Sequence, residues 1–221
     1  PSGYGVVNMN VEVYARNQAK ASKVLKGWRA PALDFTRKRE RLLLDPYWLG
    51  CWLGDGRNDS PVICKPESTK MIQALRAQAE GLGHRSSKYQ YGEGKCPSWA
   101  LSTSGQNRHS NRYLDGLRSY DLINNKHVPD AYKYGPQKVR RALLAGLLDS
   151  DGHASKGGYD WISKDEKLAD DLVFICRSLG LAAYKKTSVK GITSTGFVGN
   201  YWRVSISGEC TSIPCLGKPA L

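Results

Sequence analysis

The sequence predicts an α+β fold made of two related halves around a central pair of helices, and three observations lead there. Two nine-residue stretches echo each other, Trp48-Leu-Gly-Cys-Trp-Leu-Gly-Asp55-Gly56 and Leu144-Ala-Gly-Leu-Leu-Asp-Ser-Asp151-Gly152. Each reads as the end of an apolar helix with small residues four apart, Gly50 and Gly54 in one copy, Gly146 and Ser150 in the other. Such spacing leaves a flat stripe on which two helix backbones approach more closely than Leu or Ile permits, as in membrane helix dimers, though these runs are too short to span a bilayer. The segments after the two stretches repeat as well: short strands, an amphipathic helix, then more strands.

Residues 1–44 read as a separate basic arm or linker. Val11 to Ala15 followed by Gln18 to Leu25 suits a short helix, and the basic run Arg37-Lys38-Arg39-Glu40-Arg41 comes later. That run suits a solvated connector and a DNA-backbone contact about equally. Residues 45–133 form the first half. Asp45 is a good N-cap and Pro46 suits the first helical position. Val62 to Lys65 predicts a strand, and Glu67 to Gly81 a helix with Met71, Ile72, Leu75 and Ala79 on one face. Lys88 to Tyr91 and Trp99 to Thr103 predict further strands.

Residues 134–221 form the second half. Gly135-Pro136 opens its motif helix in the same way, and the early Lys138, Arg140 and Arg141 either meet phosphate or solvate the first turn. Gly157-Gly158 predicts a hairpin turn before a strand at Tyr159 to Lys164. Leu168, Leu172, Val173, Ile175 and Leu179 mark the amphipathic helix, and Ala182 to Val189 and Tyr201 to Ser207 the last strands. In the final strand Trp202, Val204 and Ile206 share one face, and Tyr201, Arg203, Ser205 and Ser207 the other. The second face suits reading a major groove, where Arg pairs with guanine and hydroxyls reach either base type. An ordinary half-solvated sheet has the same pattern, so the DNA reading leans on the repetition around a common centre.

That centre is marked by the Asp-Gly ending of both stretches. The closing Gly suits the left-handed position past a helix end. The Asp does not suit its place, because a helix C-terminus already carries partial negative charge. If the helices pack side by side, Asp55 and Asp151 also repel. One copy alone reads as an ordinary Asp-Gly turn; two copies with matched small residues point to a divalent-cation site. Two carboxylates with water and phosphate oxygens suit Mg2+, and the backbone carbonyls near Gly54 and Ser150 could complete the shell.

Composition agrees. Lys plus Arg number 33 against 20 Asp plus Glu, a net charge of +13 over 221 residues. That charge argues for a polyanionic partner, nucleic acid first and an acidic membrane surface second. The length allows one large or two small domains. No run approaches a transmembrane span and no secretory signal opens the chain, so an intracellular protein of the nucleus or cytoplasm is expected. Six Cys occur without a Cys-x-x-Cys pair and are expected to be reduced thiols; zinc held by Cys210, Cys215 and a remote His is the alternative.

Leu144 to Gly152 differs from the name-giving nonapeptide of the LAGLIDADG homing endonucleases by two conservative changes, and Trp48 to Gly56 resembles the looser first copy of their intein-borne, two-motif members. The resemblance implies a pseudo-twofold monomer of two αββαββα subdomains, with the motif helices central and antiparallel sheets facing DNA. It implies a site-specific double-strand endonuclease in which Asp55 and Asp151 are catalytic and bind Mg2+, with Mn2+ as a substitute, on a long asymmetric duplex target. Lys126-His-Val-Pro129 resembles the basic-x-Ile/Val-Pro element that carries a catalytic Lys in intein endonucleases; its counterpart Thr211-Ser-Ile-Pro214 has none, and Lys218 is the nearest substitute.

Candidate DNA contacts are Arg37, Lys38, Arg39 and Arg41 in the arm, Lys88 and Tyr91 in the first half, and Lys185, Lys186, Tyr201 and Arg203 in the second. The arm also resembles the segment joining an intein's splicing domain to its endonuclease. The chain begins with Pro, ends in Leu and has neither a Thr-x-x-His stretch nor a terminal His-Asn, so splicing by it is not expected. The alternative is a non-cleaving DNA- or RNA-binding module, a maturase or regulator, on the same fold. A different metal hydrolase is the third reading, against which the paired Gly-x-x-x-small helices speak.

Overall fold

The two motif stretches form helices that lie against each other. The computed structural model describes residues 5–25, 27, 29–36, 40–90, 92–103, 111–155, 157–192 and 197–218. It divides into two units, Pro1–Ala30 and Pro31–Leu221. The first carries α1 (Val11–Arg16), capped by the Asn10 side chain accepting from Glu12 N, and α2 (Gln18–Val24). The second carries the motif helices and both sheets.

Helix α3 (Pro46–Asp55) starts as expected, with the Asp45 carboxylate accepting from Trp48 N at 3.0 Å. Six consecutive residues, Trp48 to Leu53, are buried; a helix apolar on all sides belongs inside a core. Its partner is α7 (Gln137–Asp151). Here Pro136 is the cap residue and not the first helical one: its carbonyl accepts from Val139 N and Arg140 N. Arg140 neither meets solvent nor is free to meet phosphate. It is fully buried and donates to Gly135 O, Leu33 O, Ser178 O and Ser178 Oγ.

The small residues are required by the approach of these two backbones. A methyl group on Gly50 would lie 2.1 Å from Leu143 O, and one on Gly146 would lie 2.2 Å from Tyr47 O. One on Gly54 would lie 2.0 Å from Ser150 Oγ. The closing glycines do a different job from the one expected. Gly56 (φ −76°) and Gly152 (φ −70°) are extended and not left-handed. They are glycine because a Cβ would sit 2.3 Å from Trp52 O and 2.5 Å from Leu148 O, as the chain turns sharply back under each helix.

Each half then builds an antiparallel sheet. In the first, β1 (Val62–Cys64), β2 (His84–Tyr89) and β3 (Ser98–Thr103) take the order β1-β3-β2. In the second, β4 (Gly152–Ser155), β5 (Gly158–Ser163), β6 (Ala182–Ile192) and β7 (Phe197–Ser207) take the order β4-β5-β7-β6. The isolated bridge Gly56↔Ile63 occupies the place of the pair Gly152↔Trp161, so the first sheet keeps the same order with its innermost strand reduced to one bridge. The hairpin turn between β4 and β5 contains Gly157, at φ +84°. Gly158 is already in the strand, where a Cβ would meet Ile206 O at 2.0 Å.

Helices α4 (Lys70–Gly81) and α8 (Glu166–Ser178) pack on the inner faces of these sheets. Helix α4 begins three residues later than expected, because Thr69 caps it by accepting from Ile72 N while Pro66 to Ser68 form a turn. The first half closes with α5 (Arg112–Ser119), and α6 (Asp130–Lys133) leads into α7. The second half closes with a single 3-10 turn at Cys210–Ser212 in place of a helix. The architecture is the expected α+β one: two like halves on a central helix pair.

If that contact governs the fold, adding one methyl to it should be costly. Gly146→Ala should destabilise by about 1–3 kcal/mol, the range for overpacking, and lower the melting temperature accordingly. Gly81→Ala, where nothing lies within 4 Å, should instead be neutral or stabilising by up to ~1 kcal/mol. Thermal melts of both variants check this; equal melting temperatures for the two would contradict it.

Candidate active site at the paired helix ends

Because Gly54 abuts Ser150, α3 and α7 end side by side and deliver their last residues to one place. A Cβ on Gly54 would be 3.1 Å from Asp151 Oδ2, the next residue being Asp55. Two carboxylates this close need cations, and three ammonium groups surround them. Lys65, just past β1, contacts Asp55 Oδ2 at 2.5 Å and donates to Ser150 O at 2.8 Å. Lys218 donates to Ser150 O at 2.8 Å. Lys126 donates to Gly56 O at 2.7 Å and Gly54 O at 3.4 Å, with its Nζ 5.0 Å from the centre of the Trp52 ring.

The electrostatics result from this crowding. Desolvation, and then the neighbouring charge of Asp55, raise the Asp151 pKa to about 6, against the pull of Lys65, Lys126 and Lys218. Asp151 keeps a solvent-exposed edge, which tempers the desolvation, so the repulsion from Asp55 is the firmer cause. Burial lowers the Lys126 pKa to about 8 despite Asp151 and Asp55. Burial and the nearby Lys65 also lower that of Lys218.

Of the residues expected at the site, Asp55, Asp151, Gly54, Ser150, Lys126 and Lys218 come together. The carbonyls of Gly54 and Ser150, expected to complete a metal shell, accept from ammonium groups instead. Thr211 is exposed and turns its hydroxyl to Glu209, away from the centre. Sequence reading missed Lys65. Matching the bridge at Ile63 to the pair at Trp161 aligns Lys65 with Ser163, so no repeated residue type marked it.

The expected DNA contacts divide by sheet face. Strand pairing sets Lys186 opposite Arg203 and Asp160 opposite Ser205. Lys186, Tyr201 and Arg203 therefore stand on the open face, beside a recess of about 550 Å³ that reaches Asp151. The Arg203 guanidinium is held there by both oxygens of Asp160, at 3.0 and 2.7 Å, which holds the Asp160 pKa low.

Lys185 departs from expectation: it pairs with buried Val204, on the face covered by α8. There it bridges Glu166 (2.9 Å) and Asp170 (2.5 Å) and lies 4.5 Å from the Trp202 ring centre. Lys88 repeats this device in the first half, with Glu67 at 2.7 Å and the Trp99 ring centre at 5.7 Å. Lys185 fastens its sheet to α8, and Lys88 fastens its sheet to the turn that leads into α4. Arg85, Ser87 and Tyr89, across from Ser102, Ala100 and Ser98, hold the open face of the first sheet. Arg41 is exposed ahead of α3, and Arg37, Lys38, Arg39 and Tyr91 lie outside the described residues.

A family model described as a LAGLIDADG-like domain matches residues 138–211, which contain α7's Asp151 and the whole second sheet. Residues 138–211 are thus a LAGLIDADG-like domain. It is 32% identical over 161 residues to a replicative DNA helicase DnaB of Mycobacterium intracellulare, covering 72% of this chain and 22% of that protein. It is 29% identical over 160 residues to the homothallic switching endonuclease of Saccharomyces cerevisiae, covering 62% of this chain and 27% of that one. The chain thus spans about a quarter of the length of these curated relatives.

Among solved structures, the homing endonuclease I-DmoI in complex with DNA and Ca aligns at a TM-score of 0.49 and 13% identity, covering 76% of this chain and 85% of that one. The N-terminal LAGLIDADG domain of DUF199/WhiA aligns at 0.42 and 9%, covering 78% and 80%. The donors left open fit a hard divalent ion that keeps most of its water: the two carboxylates of Asp55 and Asp151, without the neighbouring carbonyls. Among the described residues no group of three or more His, Cys, Asp or Glu is gathered, and none of the cysteines forms a disulfide. No described helix is long and apolar enough to cross a membrane.

The raised Asp151 pKa makes a prediction about the metal-free protein. With a folded value of about 6 against roughly 3.9 unfolded, the folded state holds this proton more tightly. Stability from this group is therefore highest below pH ~4 and falls as pH rises through about 6. Asp151→Asn should raise the melting temperature at pH 8 by roughly 1–3 °C, after discounting for solvent exposure, and the gain should vanish near pH ~4. A variant that melts lower than wild type at pH 8 would contradict the assignment.

Proposed function

We propose that this chain is a site-specific double-strand DNA endonuclease, in which Asp55 and Asp151 hold Mg2+, or Mn2+ in its place. The observation that carries the reading is the meeting of two acids and three lysines at the ends of two helices whose backbones touch. A divalent ion bound there supplies Lewis-acid charge and a bound water of lowered pKa.

The chain's own residues do the rest. Asp55 and Asp151 orient the charge from rigid helix ends. Lys126 and Lys218 present preorganised ammonium groups where phosphate charge grows during hydrolysis. With a pKa lowered to about 8, Lys126 is largely protonated at pH 7 and can hold a proton near a leaving oxygen. The open sheet faces, with Arg85 and Tyr89 on one and Lys186, Tyr201 and Arg203 on the other, suit two adjoining segments of a long asymmetric duplex. The net charge of +13 favours that polyanion.

One chain supplies both acids, so a monomer suffices. The reading includes an intein-type origin and an intracellular place of action, nucleus or cytoplasm; the arm's resemblance to an intein connector and the relatives' much greater length support the former. The halves divide at 45–133 and 134–221 in this proposal, each with one motif helix. The endonuclease named among the relatives supports cleavage.

One observation favours the rival, a non-cleaving DNA- or RNA-binding module: ammonium groups already occupy Gly54 O and Ser150 O. Incubation with a randomised plasmid library separates the two. The endonuclease should linearise a subset of plasmids with Mg2+ or Mn2+ and none with chelator. Asp55→Asn and Asp151→Asn should each abolish double-strand cleavage while retaining DNA binding. Lys218→Met should slow one strand by roughly 10²-fold and accumulate nicked product. Binding without cutting by wild type in Mg2+ would establish the rival.

A further inference from the structure

Asp149 is a buried acid that takes no part in the acid pair. It lies on α7 two residues before Asp151 and is 2% exposed. Its Oδ1 accepts from Gly217 N and Lys218 N, both at 2.9 Å. Its Oδ2 accepts from Leu216 N at 2.7 Å and from the Tyr47 hydroxyl of α3 at 2.8 Å. A carboxylate offers about four acceptor sites, and all four are filled. Three of the donors are consecutive backbone amides of a segment outside any helix or strand, with Leu216 and Gly217 exposed.

That segment carries Lys218, whose carbonyl accepts from the Tyr159 hydroxyl at 2.6 Å. The backbone of Lys218 is therefore clamped at its N–H by Asp149 and at its C=O by Tyr159, and its Nζ reaches Ser150 O at 2.8 Å. The first motif has Leu53 at the place of Asp149, buried in the core. There the Lys126 loop hangs from another carboxylate: Asp171 of α8, 4% exposed, accepts from Val128 N at 2.8 Å. A packed interior does not need a carboxylate at position 149, since its counterpart Leu53 fills the same place without one.

We propose that Asp149 is the positioning residue for Lys218. Through three backbone amides it sets the C-terminal segment so that the Lys218 ammonium stands at the acid pair, replacing the lysine that Thr211 does not supply. Its purpose in cutting the second strand rests on the endonuclease reading; the positioning itself does not.

The positioning is tested on metal-free protein without DNA, by trace acetylation with acetic anhydride read by peptide mass spectrometry. In wild type, Lys218 should react more slowly than exposed Lys167. In Asp149→Asn, Lys218 should become roughly tenfold more reactive, while Lys126, held from α8, stays as in wild type. A folded Asp149→Asn protein whose Lys218 reacts at the wild-type rate overturns the proposal. If that variant does not fold, hydrogen exchange in wild type decides: slow exchange at Leu216, Gly217 and Lys218 supports the clamp, and unprotected exchange overturns it.

Strand-labelled cleavage then reads the consequence. Asp149→Asn should slow the same strand as Lys218→Met, and the double variant should be no slower than Lys218→Met alone. Equal slowing of both strands would mean that Asp149 serves only the fold and overturns the proposal. A wild type that cuts nothing would sink the endonuclease reading and leave the acetylation result standing.

Discussion

The backbone contact between α3 and α7 is the constraint on which the rest depends. Methyl groups at Gly50 or Gly146 would lie within 2.2 Å of opposing carbonyl oxygens, so the helices touch as no side-chain-bearing pair could. Interiors are close-packed and do not absorb such overlap. The contact decides where both sheets stand, since each chain turn leaves a helix end at Gly56 or Gly152 and enters a strand or bridge at once. It also forces Asp55 and Asp151 together. That repulsion is the electrostatic cost of the arrangement, and Lys65, Lys126 and Lys218 offset it in the absence of other cations.

The two halves share a scaffold more closely than they share chemistry. Sheet order, helix placement and even the Lys–Glu–Trp clamp recur, as Lys88, Glu67 and Trp99 and again as Lys185, Glu166 and Trp202. The groups around the acids do not recur. Lys65 faces Ser163 across the pseudo-symmetry, Lys126 faces Thr211, and Leu53 faces Asp149. A half-site lysine is reached from a Val-Pro loop in one half and from the C-terminal segment in the other. The scaffold repeats because packing tolerates little change, whereas a positive charge near a phosphate can arrive along several routes.

This distinction explains what the sequence could reveal. The helix pair, its small residues and its acids were legible because sterics and helix geometry demand specific residue types at fixed spacing. The strand alternation of Trp202, Val204 and Ile206 was legible for the same reason. Lys65 and Asp149 were not, because a lysine after a strand and an acid in a motif have no spacing that declares their partners; only the tertiary fold brings Lys65 to Ser150 and Asp149 to the 216–218 amides. Lys88 and Lys185 looked like DNA contacts because basic residues in strands carry no mark of which sheet face they take. The closing glycines were placed correctly but for the wrong cause, crowding beneath the helix and not a left-handed φ.

The most direct measurement is a crystal structure of the protein with its duplex target and Mn2+, with the metal located by anomalous scattering. The account predicts an anomalous peak within coordination distance of carboxylate oxygens from both Asp55 and Asp151, about 2.0–2.3 Å for hard oxygen ligands, and the Lys65 ammonium displaced from Asp55. A peak elsewhere, or carboxylates separated so that no single ion touches both, would contradict it.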